Sequence, residues 1–351
     1  MSSLQLLWFV LIGVLFSGFF FLEGFDFGVG MSLTTLAKDE DEVEQAIETI
    51  GPVWDGNEVW LLTAGGAMFA SYPFWYASLF SGYYLILFII LAGLIIRGVS
   101  FEFRASYPTA AGAKLWGRVC SVGSFIVPFF FGLMFTSLVK GMPIDANGDL
   151  TAHFTDYVNP FSLVGGVAVL LLCYLHGLNY LALKTEGPLR ERAATYAKTL
   201  YFVLYAGEVL FAVLLLVYTD FLAKHPVGTL ALLVVIVALT VLAHISVIKG
   251  KELTAFLASG LTLVAVVVLL FQGLFPRVMV ANDAANSILI KNASSSPYTL
   301  KTMTIVAVTI LPFVLAYTAW TYYVFRKRVK APRTPKHHGK VGGEHGVKVG
   351  A

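Results

Sequence analysis

Charge is scarce in this chain. Only 13% of its 351 residues are Asp, Glu, Lys or Arg, where an ordinary soluble domain has about 25%. Hydrophobic residues make up 58%, and mean hydropathy is +0.78. Such a sequence cannot clothe a water-facing surface, which excludes an ordinary soluble enzyme. With a net charge of only +3 it also lacks the basic field of a nucleic-acid-binding protein. Cysteine is nearly absent: Cys120 and Cys173 stand in different apolar runs, which excludes a disulfide framework or a CxxC redox pair and leaves them as small buried apolar residues. No Gly-rich nucleotide loop, Cys/His metal constellation or nucleophile elbow occurs.

What the sequence does have is apolar runs of membrane-spanning length. A bilayer core of about 30 Å needs roughly 20 helical residues at 1.5 Å rise. About nine runs qualify, near 5–31, 51–72, 75–96, 115–138, 160–183, 197–218, 228–248, 253–275 and 302–325, with 51–72 the least apolar. The pattern predicts an all-α, polytopic transmembrane helix bundle over 1–326, followed by a basic tail, 327–351, without the apolar content to fold. His337, His338 and His345 then belong to the tail rather than to a metal site. The first run lacks a basic leader and a small-residue cleavage pattern, so it is expected to remain in the protein.

Basic residues set the orientation. Arg97, Arg104, Lys114 and Arg118, then Lys184, Arg190, Arg192 and Lys198, then Lys249 and Lys251, and finally the tail, all fall on one side. That side is expected to be cytoplasmic, with the N-terminus outside and the C-terminus inside. The acidic stretch from Lys38 to Glu48 reads as a short surface helix, Arg97 to Arg104 as an interfacial loop, and 142–159 and 277–300 as outer connectors. Gly24 with Gly28, and the doublets Gly65-Gly66 and Gly165-Gly166, would let helices approach closely.

Polar side chains in such a setting need a reason. Glu23 and Asp26 stand three residues apart in Glu23-Gly24-Phe25-Asp26-Phe27-Gly28-Val29-Gly30, as do Asp55 and Glu58 in Gly51-Pro52-Val53-Trp54-Asp55-Gly56-Asn57-Glu58-Val59-Trp60. Three-residue spacing puts each pair on nearly one helical face, and Pro52 suits a first helical turn. Carboxylates kept at low dielectric exchange protons near neutral pH, so four acids bordering two spans, with Trp54 and Asn57 alongside, point to a polar path. The plainer alternative is that they cap helix ends or pair with bases. Arg97 is an intramembrane cation, able to hold an anion. His176 and His244 lie inside spans, where an imidazole ligates haem, relays protons or hydrogen-bonds a neighbouring helix. They lack the spacing of a paired haem site, and hydrogen bonding is the expectation.

These motifs resemble subunit II of cytochrome bd-type ubiquinol or menaquinol oxidases. The resemblance extends through His176-Gly177-Leu178-Asn179-Tyr180 and Ser296-Pro297-Tyr298-Thr299-Leu300, leaving only the tail outside. It implies a heterodimer in a bacterial inner or plasma membrane. In that arrangement a larger subunit I carries the quinol site, two haems b and one haem d, while this chain holds no haem and no metal. By the same resemblance Asp55 supplies an acid to proton uptake from the cytoplasm, and Asp26 is a second member. Some family members carry Asp in place of Glu23 and Gln in place of Glu58, so the role passes less directly to these two. The other expected partners are membrane lipids, with room for a structural quinone and a small accessory subunit. A proton-coupled transporter is the alternative reading, since it would also bury acids among Gly-rich helices.

Overall fold

The computed structural model describes residues 1–106 and 109–331, so most of the tail, with its three histidines, lies outside the described residues. The chain is helical almost throughout. Helix α1 (Ser3–Thr35) opens with a capping box between Ser2 and Gln5 and passes through the centre of the bundle. The acidic stretch forms α2 (Glu40–Ile50), capped by Asp39 and carrying Glu40, Asp41 and Glu42 in its first turn, where the helix dipole favours negative charge. Next come α3 (Trp54–Ser71), α4 (Pro73–Gly82), α5 (Tyr84–Ser106) and α6 (Ala110–Lys140). A short α7 (Phe154–Tyr157) leads into α8 (Pro160–Lys184) and α9 (Pro188–Tyr218). Then follow α10 (Phe221–Lys224), α11 (Pro226–Ile248) and α12 (Glu252–Leu274). A two-stranded antiparallel ribbon, β1 (Arg277–Met279) and β2 (Ile288–Leu289), and the short α13 (Ile290–Ala293) precede α14 (Pro297–Val324).

Eight of these helices are long and apolar enough to cross a membrane: α1, α5, α6, α8, α9, α11, α12 and α14. The ninth expected span, α3, has 18 residues but a polar first turn, and is not among the eight. Its contacts nevertheless run from one face to the other. Asn57 reaches Asp26 near the inner part of α1, while Ser71 O accepts from Ser295 N at 2.8 Å, and Tyr72, just beyond α3, bonds Gln5 O at the outer end of α1. The connections sort into two faces accordingly. On the basic face, Gln45 bonds Glu186 O and Val329 O, each at 3.0 Å, while Arg190 and Arg328 meet Glu252. On the other, Met142 N bonds Val280 O at 2.9 Å and Arg277 pairs with Asp220 at 2.7 Å. The outer connectors are therefore a packed cap. The start of the tail is also pinned, since Lys184 Nζ bonds the carbonyls of Phe325 and Lys327.

Four local expectations need correction. Helix α2 ends at Ile50 and α3 begins at Trp54, so Pro52, which has no N–H to donate, lies in the turn between them rather than in a first helical turn. The run 75–96 is not one helix. The chain turns at Tyr83, whose φ of −96° and ψ of 21° break the helix, and Tyr157 OH donates to Gly82 O at 2.6 Å there. Residues 97–104 are not a loop, because α5 continues to Ser106. Finally, of the three glycine pairs expected to let helices approach, only two do so within the chain: a Cβ on Gly28 would lie 2.3 Å from Cys173 O, so α1 and α8 touch backbone to backbone. Gly165 and Gly166 meet α6 in the same way, whereas Gly65 and Gly66 face open space.

Candidate functional site

Three helices bring the intramembrane charges together. Residues 23 and 26 lie on one face of α1. Arg97 comes from the middle of α5, and Asn57 from the first turns of α3. Glu23, Asp26 and Arg97 are each 0% exposed, and Asn57 is 2% exposed. Arg97 Nη1 pairs with Glu23 Oε1, and its guanidinium lies over Phe27 and Phe101, 4.9 and 5.6 Å from their ring centroids. Glycine makes room for it, since Gly123 of α6 sits against the Arg97 Cβ. Asn57 Nδ2 donates to Asp26 Oδ2 at 2.7 Å, and Tyr322 OH of α14 donates to Asn57 Oδ1 at 2.7 Å. The chain of donors therefore runs in one direction, from Tyr322 through the amide to the carboxyl.

The cluster is incompletely paired. Glu23 Oε2, Asp26 Oδ1, and Nε and Nη2 of Arg97 are buried without a hydrogen-bond partner. An unpartnered buried polar atom is costly, and such atoms concentrate where a proton, a water or a reacting group is handled.

The other singled-out residues are placed differently. Asp55 is exposed on the first turn of α3, and Glu58 is half-buried one turn on. Neither hydrogen-bonds the Glu23–Asp26 pair among the described residues. Trp54 packs on Phe101, ring centroids 5.0 Å apart, and so braces the helix that carries Arg97. His176 is fully buried, its Nδ1 with Ser259 Oγ at 2.8 Å, its Nε2 with Phe21 O at 2.9 Å and its ring stacked on Phe256 at 4.7 Å. Its Nε2–H donates to the Phe21 carbonyl and its Nδ1 lone pair accepts from the Ser259 hydroxyl, so no lone pair is left free for iron and it does not fit a haem ligand. His244 is held by Tyr205 OH at 2.9 Å and stacks on Tyr201 at 5.0 Å.

This arrangement of motifs on helices can be matched to known proteins. The profile of the family described as cytochrome bd terminal oxidase subunit II matches residues 4–325. The chain belongs to that family. It is 47% identical over 337 residues to cytochrome bd ubiquinol oxidase subunit 2 of Bacillus subtilis (strain 168), covering 95% of this chain and 100% of that one. It is 32% identical over 360 residues to cytochrome bd-I ubiquinol oxidase subunit 2 of Escherichia coli (strain K12), covering 93% and 95%. A solved structure, the bd oxidase from Geobacillus thermodenitrificans, shares the fold with a TM-score of 0.72 at 14% identity, over 92% of this chain and 99% of that one.

As a subunit II, the chain is part of an oxygen-reducing quinol oxidase complex in a bacterial membrane. The transporter reading gives way to this. Within the subunit II framework, Tyr322 is the residue that sequence reasoning missed. Its partner Asn57 lies 265 positions away, and a tyrosine among apolar residues near a helix end ordinarily signals a membrane interface. Arg97 and Glu23 both stand out in the sequence as intramembrane charges, but their pairing across 74 positions does not.

Proposed function

We propose that this subunit II carries no haem, scaffolds a larger subunit I that holds the two haems b, the haem d and the quinol site, and contributes carboxyl groups to proton uptake from the cytoplasm. The observation that carries the proton role is the buried cluster of Glu23, Asp26 and Arg97, two carboxyls for one cation. A surplus negative charge in a low-dielectric interior is expensive. The cluster relieves it by holding one proton between the carboxyls, whose unpartnered oxygens, Glu23 Oε2 and Asp26 Oδ1, are the atoms available to share it. Asp55, exposed at the cytoplasmic start of α3, collects protons, and Glu58 lies one turn along the same helix. Asn57 and Arg97 hold the inner carboxyls in place.

The partner docks where the chain leaves itself uncovered. The apolar stretch of α14 that would cross the membrane is 0% buried, and Gly65 and Gly66 of α3 meet nothing within 4 Å. A second subunit seated there would also enclose Asp55. Between α6, α8, α9 and α12 lies a largely apolar cavity of 480 Å³, with Trp75 and Glu208 among its lining residues. It is suited to the structural quinone or lipid expected of the complex. Asp55→Asn tests the uptake role. The variant keeps hydrogen-bonding capacity, so assembly and haem content should persist while quinol-driven oxygen consumption per haem falls. If Asp55 only favours the N-terminal dipole from the first turn of α3, the variant loses a little stability but turns over normally, and normal turnover removes the residue from the path.

A further inference from the structure

The basic face holds a second, polar cavity that the proton path does not use, and from it we propose a binding site for a phosphate-bearing anion at the cytoplasmic membrane edge. The cavity measures 450 Å³ and lies between the ends of α1, α2, α5 and α6, lined by Lys38, Asp39, Glu40, Arg104, Lys114 and Arg118. Four cations thus face two carboxylates, and both carboxylates are already engaged. Asp39 caps α2 by accepting from Glu42 N at 2.9 Å, and Glu40 pairs with Arg104 at 2.9 Å. Lys38, Lys114 and Arg118 form no ion pair among the described residues.

Arg104 is the second, independent observation. It is 4% exposed. Its Nη1 donates to Ala113 O at 2.8 Å and its Nη2 to Glu40, with Glu44 a further 3.8 Å ion-pair partner, but its Nε is buried without a hydrogen-bond partner. Arg104 thus lines the cavity while one of its guanidinium N–H groups, enclosed by protein beneath the wall, still lacks an acceptor, and phosphate oxygens suit the planar donor fork of such a side chain.

A phospholipid headgroup and a free phosphate ion present this same chemistry. The surroundings favour the lipid, because Phe103 and Leu115 beside the cavity are 50% and 57% exposed, and Phe103 stacks on Trp116 at 4.9 Å. Aromatic side chains at this level belong to the lipid–water boundary, and basic pockets between spans on the cytoplasmic side take anionic headgroups.

The test uses the whole oxidase complex, equilibrated with vesicles of equal parts phosphatidylglycerol and phosphatidylcholine, re-extracted in non-ionic detergent and weighed by native mass spectrometry. Wild type should retain phosphatidylglycerol in preference to phosphatidylcholine. The double variant Lys114→Gln/Arg118→Gln, both at exposed positions, should lose that retention several-fold, while Lys140→Gln on the outer face retains it. Adding inorganic phosphate distinguishes the sources. Lipid kept in its presence identifies a lipid site, whereas lipid displaced together with a bound phosphate ion identifies a site for the free ion. Equal retention of phosphatidylglycerol by wild type and double variant, with no phosphate bound by either, would overturn the proposal.

Discussion

Arg97 and Tyr322 show what a single side chain does here. Removing the guanidinium would leave Glu23 buried and uncompensated, a change that typically costs 3–5 kcal/mol, so Arg97 is a structural necessity before it is anything else. Tyr322 is more informative because it can be trimmed gently. Tyr322→Phe deletes one donor to Asn57 Oδ1 and should cost about 1 kcal/mol, the net worth of a hydrogen bond. Assembly and haem content should therefore be retained. If Tyr322 fixes which way the Asn57 amide points, and so keeps Nδ2 on Asp26, the pH profile of oxygen consumption per haem should be displaced from that of wild type. A profile that superimposes on wild type would mean that the amide is oriented without the tyrosine, for instance by Leu22 O, which lies 3.4 Å from Nδ2.

At the scale of elements, the glycines that pack inside the chain are distinct from those the chain leaves open, and the open ones belong to the docking face proposed for subunit I. Without water to drive association, membrane helices depend on close contact and interhelical hydrogen bonds. A leucine at Gly28 would push α1 from α8, since even its Cβ would sit 2.6 Å from Gly177 Cα. Gly28→Leu should lower the thermal stability of the subunit itself by more than the 1–3 kcal/mol usual for overpacking. Gly66→Leu meets nothing in this chain and should leave its fold intact while weakening co-purification with subunit I. Equal behaviour of the two variants would show that the open face of α3 is not the docking face.

The outer cap has its own pH dependence. Asp220 accepts both Arg277 guanidinium N–H groups, at 2.7 and 2.8 Å, and pairs with Lys224 at 2.7 Å. Partial burial pushes its carboxyl up, but the two cations outweigh that and bring it down to about 2 from 3.8. A carboxyl held low in the folded state stabilises it above the unfolded value and loses that contribution as the proton binds. Thermal stability should therefore fall as pH drops from 3.8 toward about 2, and Asp220→Asn should be less stable above this window and flatter across it.

Much of this architecture is legible in the sequence because helices in a membrane must be long, apolar and internally hydrogen-bonded. The limits of the legible part are equally physical. The break at Tyr83 follows from tertiary contacts, with the Tyr83 hydroxyl on Ser137 at 3.0 Å and Gly82 pressed on Leu150, and no Pro or charge marks it. The acid pairs were visible as pairs on one face. That Glu23 and Asp26 would be fully buried while Asp55 stood exposed depends on which helices cover α1 and α3, and hydrophobic patterning does not specify that.

Over the whole molecule, the proposed function requires the second subunit of an oxygen-reducing oxidase to carry part of its proton supply through carboxyls that no haem touches. Its most direct test is oxygen consumption per haem d, measured across pH in the purified complex, for Asp26→Asn beside Asp26→Glu. Asp26→Asn, which keeps Asn57 paired but cannot titrate, should assemble with normal haem spectra and turn over slowly at every pH. Asp26→Glu, titratable at nearly the same place, should recover much of the lost rate and guards against a mere assembly defect. Wild-type turnover per haem in Asp26→Asn, from mildly acidic to alkaline pH, would take the buried carboxyls of this subunit out of the proton supply.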